Sequence, residues 1–189
     1  MRLIMTNIPN NLQDAKDLLT QDGFAVGATW YHGTSSGLIA SIKEQGLKRS
    51  GDKVLKKTAK KIMATIGNSY TETVEPVFLT QSKELAFYWA EQTIKERNVH
   101  TGVEELPVVL AVNLPEDINA KVKPDVGAAG LLLVEGNNYL EHLAEIYQVQ
   151  GLIAPNIDPY KAARLDYLNK LGMAYINADI DVKYLDVIS

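Results

Sequence analysis

With 189 residues, 46% of them hydrophobic and 22% charged, the chain is sized for one domain burying about 70% of the surface that its unfolded form exposes. It has no cysteine, which excludes disulfides, iron–sulfur clusters, cysteine-ligated zinc and thiol catalysis. The balance of 23 acids against 19 bases is not that of a general nucleic-acid binder, although Lys48, Arg49, Lys53, Lys56, Lys57, Lys60 and Lys61 cluster around a single acid, Asp52. In chain order, Leu12, Ala15, Leu18 and Leu19 predict a helix over residues 11–22, ended by Gly23. Residues 28–32 predict a strand that runs through Gly33 into a serine-capped helix closed by Gly46. An amphipathic helix is expected over residues 53–66, with its lysines on the outer face. Residues 77–80 predict a short strand, and Ser82 caps a helix with Leu85, Ala86, Trp89, Ala90 and Ile94 inward. The continuous apolar run 106–114 predicts a doubly buried strand ended by Pro115, and residues 131–134 also read as strand. A short helix over 138–144, a strand over 145–153, a helix over 162–171 and strands over 173–177 and 181–188 complete the chain.

Strands and helices that do not alternate regularly imply an α+β fold in one domain spanning residues 1–189. No apolar run approaches the roughly 18 residues of a membrane span, and the N-terminus lacks a secretory pattern, so a cytoplasmic protein without a membrane partner is expected. Nucleotide loops fail: there is no Gly-x-Gly-x-x-Gly, and Asp52-Lys53 stands where the phosphate loop that Gly46 and Gly51 would frame requires Lys-Ser or Lys-Thr. His32, His100 and His142 form no metal-binding spacing. His142 with Glu145 is a lone i,i+3 pair, so no metal is expected.

Three patterns occur in a fixed order. The first is Tyr31-His32-Gly33-Thr34-Ser35, followed by Ile39, Ile42 and Gly46-Leu47. The second is Val77-Phe78-Leu79-Thr80 with Ser82, Ala86, Tyr88 and Ala90. The third is Glu145-Ile146-Tyr147-Gln148-Val149, ending in Gly151-Leu152-Ile153-Ala154-Pro155-Asn156-Ile157. Together they resemble the His-Tyr-Glu branch of the ADP-ribosyltransferase-like fold, which includes diphtheria toxin, the poly(ADP-ribose) polymerases, DNA-modifying toxins and the RNA 2′-phosphotransferases. The resemblance covers a core of roughly residues 28–158, leaving the helix 11–22 and the segment 159–189 outside it. It implies split, mostly antiparallel sheets with flanking helices and NAD bound across the split.

On that resemblance, His32 bonds the adenosine ribose with Thr34, and the Gly33 backbone holds the nicotinamide amide. Tyr31, Thr80, Phe78 and Tyr88 complete the NAD pocket, and Glu145 stabilises the ribosyl cation, so that His32, Tyr88 and Glu145 make the catalytic set. Phe78 stands where the family has a tyrosine, and it can stack but not donate a hydrogen bond. The implied activity is NAD-dependent transfer of ADP-ribose to a macromolecular acceptor, protein or nucleic acid, with Lys53, Lys56, Lys57, Lys60 and Lys61 as a docking face for a polyanion. Two alternatives stand beside it. One is a catalytically silent nucleotide- or partner-binding module; the other is an RNA 2′-phosphotransferase, for which four arginines in the whole chain are few.

Overall fold

The computed structural model describes residues 8–51, 74–134 and 136–189. The expected helix over 53–66 and its lysines lie outside the described residues. In place of the helix expected over 11–22 there is a 3-10 turn, Asn10–Leu12, then a single turn α1 (Ala15–Leu18) and a hairpin of β1 (Leu19–Thr20) and β2 (Gly23–Phe24). Gly23 sits at φ +114°, and a Cβ there would lie 2.2 Å from the Asn169 carbonyl oxygen, so this glycine closes a turn packed against a distant segment instead of ending a helix. β3 (Thr29–Ser35) follows, and the Ser35 hydroxyl accepts the Gly37 N–H to cap a 3-10 turn leading into α2 (Ile39–Gln45). Gly46, at φ +75°, terminates α2.

β4 (Val77–Leu79) leads into the longest helix, α3 (Lys83–Thr101). Its N-terminus is capped from two sides. Ser82 Oγ accepts the Glu84 N–H, and the Asp14 carboxylate, from just before α1, accepts the Lys83 N–H at 2.9 Å and the Ser82 hydroxyl at 2.6 Å. Beyond α3 come β5 (Pro107–Asn113), α4 (Glu116–Asn119), β6 (Lys123–Pro124), α5 (Ala129–Val134) and α6 (Gly136–Val149). α7 (Arg164–Asn169), β7 (Ala174–Ile176) and β8 (Leu185–Val187) close the chain.

Two expected strands are helical. Residues 131–134 belong to α5, and the strand expected over 145–153 is the last turn of α6 followed by a turn at Gly151 (φ +68°) and irregular chain. The β-branched and aromatic content of 145–149 favours a strand locally, but Tyr139, Leu143, Ile146 and Tyr147 are all buried at helical spacing, and that packing decides the conformation. The strand expected over 181–188 is shorter too, because Asp181 caps a 3-10 turn that occupies its first half.

The fold is α+β, with small antiparallel sheets and helices. One sheet has the order β3-β5-β8 and the other β4-β7-β6. They share a buried core and are joined by a single backbone bridge among the described residues, in which Tyr31 and Thr80 exchange both hydrogen bonds at 2.9 Å. α3 lies on β3 and β5 at close range. A Cβ on Gly33 would fall 2.0 Å from the Ala86 carbonyl oxygen and 2.6 Å from the Ala90 nitrogen, so β3 and α3 are in backbone contact there. The far end of α3 is tied to the start of β5 by a buried bidentate pair, Arg97 Nε to Glu105 Oε2 at 2.6 Å and Arg97 Nη2 to Glu105 Oε1 at 3.0 Å, and the Ser35 hydroxyl donates to the same carboxylate. Among the described residues, no helix is long and apolar enough to cross a membrane, and no group of three or more His, Asp or Glu side chains could hold a metal ion.

Candidate functional site

Where the two sheets part beyond the Tyr31–Thr80 bridge, a cleft of about 910 Å³ opens, within the size range of small-molecule sites. β3 contributes Tyr31, His32 and Gly33, β4 contributes Phe78 and Leu79 with Thr80 beyond, and α3 contributes a wall that includes Tyr88 and Trp89. Asp125, Ala128, Leu132, Asn138 and Tyr139 form the opposite side, and Met173, just before β7, and Ala174, its first residue, also line it.

Strand alternation sets the chemistry of the β3 edge. In the β3–β5 ladder Gly33 faces Val109, whose own N–H donates to the Ser189 hydroxyl and whose carbonyl accepts the Ile188 N–H, both on the β8 side. Gly33 and Val109 are therefore a non-hydrogen-bonded pair, and the Gly33 N–H and C=O point away from β5 on the same edge as those of Tyr31. Tyr31 spends its pair on Thr80, whereas Gly33 lies past the bridge, where β4 has moved off. With no backbone partner among the described residues on that edge, its peptide offers one donor and one acceptor to the cleft, in the arrangement that a primary amide would match.

His32 links the sheets. Its Nδ1 lies 2.8 Å from the Phe78 carbonyl oxygen. A carbonyl only accepts, so Nδ1 carries the proton. Burial lowers the His32 pKa, and the bond to Phe78 offsets this only in part, so the ring is neutral at pH 7 and Nε2 is a hydrogen-bond acceptor. Phe78 is 46% exposed between buried Val77 and Leu79, which leaves its ring as an open stacking surface in the cleft. Tyr88, by contrast, is buried. It stacks on His142 (5.0 Å between ring centroids, 17° between planes) and meets Trp89 and Tyr139 at 5.3 and 5.2 Å, so α3 and α6 share an aromatic cluster that forms the cleft's stiff wall.

Six residues singled out in the sequence (Tyr31, His32, Gly33, Phe78, Thr80 and Tyr88) are brought together in this cleft. Two are not. Thr34 is buried in β3 and does not line it. Glu145 sits on α6, not at the start of a strand, and its side chain is not among those lining the cleft. The strand beside β4 is β7, and what its start turns into the cleft is Met173 and Ala174, neither of them a carboxylate. Among the described residues the cleft's acids are Asp125 and Glu96, which the sequence patterns did not single out. Only a weak local signal marked Asp125, which precedes Val126-Gly127 as turn-capping aspartates do. No protein-family model, curated protein or solved structure matches the chain.

Proposed function

We propose that the cleft binds NAD, with the nicotinamide amide on the Gly33 peptide and its ring against Phe78, and that the protein transfers ADP-ribose from NAD to a macromolecular acceptor. The observation that carries this reading is the placement of three complementary groups at one point: an unpaired peptide edge at Gly33, a neutral histidine with an acceptor nitrogen at His32, and an open aromatic face at Phe78. The acceptor Nε2 of His32 suits a ribose hydroxyl, and the volume suits a dinucleotide. Lys53, Lys56, Lys57, Lys60 and Lys61 remain the proposed docking face for a polyanionic acceptor.

Calorimetric titration with NAD, run beside nicotinamide release in the presence and absence of a nuclease-treated lysate, tests this reading. Saturable NAD binding lost in His32→Ala supports it, and absence of NAD binding by the wild-type chain overturns it. A second reading is favoured by Met173 and Ala174 at the start of β7, where, among the described residues, no carboxylate enters the cleft from the strand beside β4. It makes the protein a nucleotide-binding module without turnover, and it is marked by NAD binding with no nicotinamide release. The 2′-phosphotransferase alternative is disfavoured, because Lys95 is the one Lys or Arg among the described cleft residues and no arginine lines it.

A further inference from the structure

We propose that Asp125, not Glu145, is the carboxylate that faces the ribosyl centre in this cleft and stabilises the positive charge formed as the nicotinamide bond breaks; the proposal rests on the NAD reading above. Asp125 follows β6 directly and lies across from Met173 in the β6–β7 register, its N–H donating to the Met173 carbonyl oxygen at 2.9 Å. Residues directly opposite in an antiparallel ladder project to the same face, and both Asp125 and Met173 line the cleft. The acid thus enters from the strand next to β7, one strand away from where a β7 carboxylate would stand.

Its surroundings hold it through backbone amides and, among the described residues, bring no cation to it. Asp125 is 7% exposed, its Oδ1 accepts the Ala128 N–H at 3.1 Å, and buried Ala128 and Leu132, from the turn and helix that follow, line the same cleft. Among the described residues no lysine or arginine forms an ion pair with it. Burial accordingly pushes its carboxyl above the usual aspartate range, against the pull of the Ala128 and Gly127 amides. Capping that turn explains an Asx side chain, but not a charged one, since Asn caps equally well without a buried charge. Glu96, the other acid of the cleft, is exposed near the end of α3, where water screens it.

In the step this implies, the bond between ribose C1′ and the nicotinamide nitrogen breaks and its electron pair leaves with neutral nicotinamide. The oxocarbenium ion left behind is stabilised by the Asp125 carboxylate until an acceptor lone pair bonds to C1′, and the acceptor's proton passes to water. Asp125 ends the cycle unchanged. The charge it stabilises is greatest in the transition state, so removing it costs turnover more than binding.

The test uses the full chain, with NAD as the probe. Asp125→Asn is expected to lower nicotinamide release on the order of 10²-fold while NAD affinity stays within about threefold. The wild-type turnover is expected to fall as pH drops through the aspartate's raised pKa, and that acid limb should vanish in Asp125→Asn. Asp125→Glu, which keeps the charge on a longer arm, should turn over faster than the Asn variant; a purely capping role gives the opposite order. Should the Asn variant fail to fold, Asp125→Ser, an uncharged cap, carries the same expectation. Wild-type turnover in Asp125→Asn, or wild-type NAD binding without any nicotinamide release, overturns the role of Asp125 while leaving NAD binding intact. No NAD binding by the wild type overturns the NAD reading itself.

Discussion

Replacing His32 by alanine removes both the Nδ1–H bond to Phe78 across the split and the acceptor Nε2 inside the cleft. NAD affinity should weaken by about 1–3 kcal/mol, the cost of a lost buried polar contact, as read by calorimetry. Unchanged affinity would move the ribose contact elsewhere. The neighbouring glycine acts through space, not chemistry. An alanine at Gly33 would place its Cβ 2.0 Å from the Ala86 carbonyl oxygen, and helix backbone cannot yield as a flexible side chain would. Gly33→Ala should therefore push β3 off α3 and cost about 1–3 kcal/mol, lowering the melting temperature by several degrees in a chain of this size. A melting point equal to wild type would mean that the helix shifts freely. Both residues were singled out in the sequence only through the ordered set of three patterns, because a His-Gly pair at the end of a short β-rich run by itself fits an ordinary tight turn as well. Asp125 was not, since an aspartate before a glycine turn looks like any other cap until β6 and β7 bring it opposite Met173.

At the scale of elements, α3 depends on a residue 69 positions upstream of its first residue: Asp14 accepts the Lys83 N–H and the Ser82 hydroxyl and so pins the N-terminal segment to the helix that walls the cleft. Asp14→Ala is expected to cost about 1 kcal/mol, at most about 2, in chemical denaturation. Its proximity to Glu84 sets the sign of a side effect. Burial raises the Glu84 pKa and the Asp14 charge raises it further, so part of the loss is offset when that repulsion is removed. α3 and β5 were readable from sequence because each is long, with Leu85, Ala86, Trp89, Ala90 and Ile94 at helical spacing behind a serine cap and every position from Val108 to Val112 apolar. α6 was only half readable. Glu145-Ile146-Tyr147-Gln148-Val149 has the composition of a strand, and what makes it helix is burial of Ile146 and Tyr147 against the tertiary core, which composition does not encode. The strand expected over 145–153 and the place expected for Glu145 go together, since the resemblance put that carboxylate at the opening of a strand and the residue stands on α6.

Across the whole molecule, the two three-stranded sheets share a buried core, in which Trp30, Leu110 and Val112 pack with Val77, Leu79, Ala174 and Ile176, and the aromatic cluster that packs α3 against α6 stiffens the cleft's other wall. His142 lies in that cluster, 8% exposed, stacked on Tyr88, with its Nε2 buried and without a hydrogen-bond partner among the described residues. Burial pushes its pKa down to about 4 from an ordinary 6.5. The folded chain therefore holds His142 neutral where the unfolded chain would protonate it. The stabilisation this represents is complete above pH 6.5, declines as pH falls from 6.5 toward 4, and is gone below, because the unfolded state gains a proton that the native state refuses. At about 1.4 kcal/mol for each pH unit, the loss across that window is about 3 kcal/mol. Asp125, Glu84 and Glu91 work in the opposite direction, as their carboxyls are raised by burial and take up protons more readily in the native state. The contribution of His142 is thus isolated by comparison with a non-titrating variant, not read from wild type alone. His142→Phe keeps an aromatic ring against Tyr88 and cannot titrate. Unfolding free energies measured by denaturant at pH 7 and pH 4.5 should show wild type losing more stability than His142→Phe over that step, by about 2 kcal/mol or more. Parallel losses in the two proteins would mean that the imidazole finds a proton-stabilising partner in the native state and that the acid sensitivity of the fold originates elsewhere.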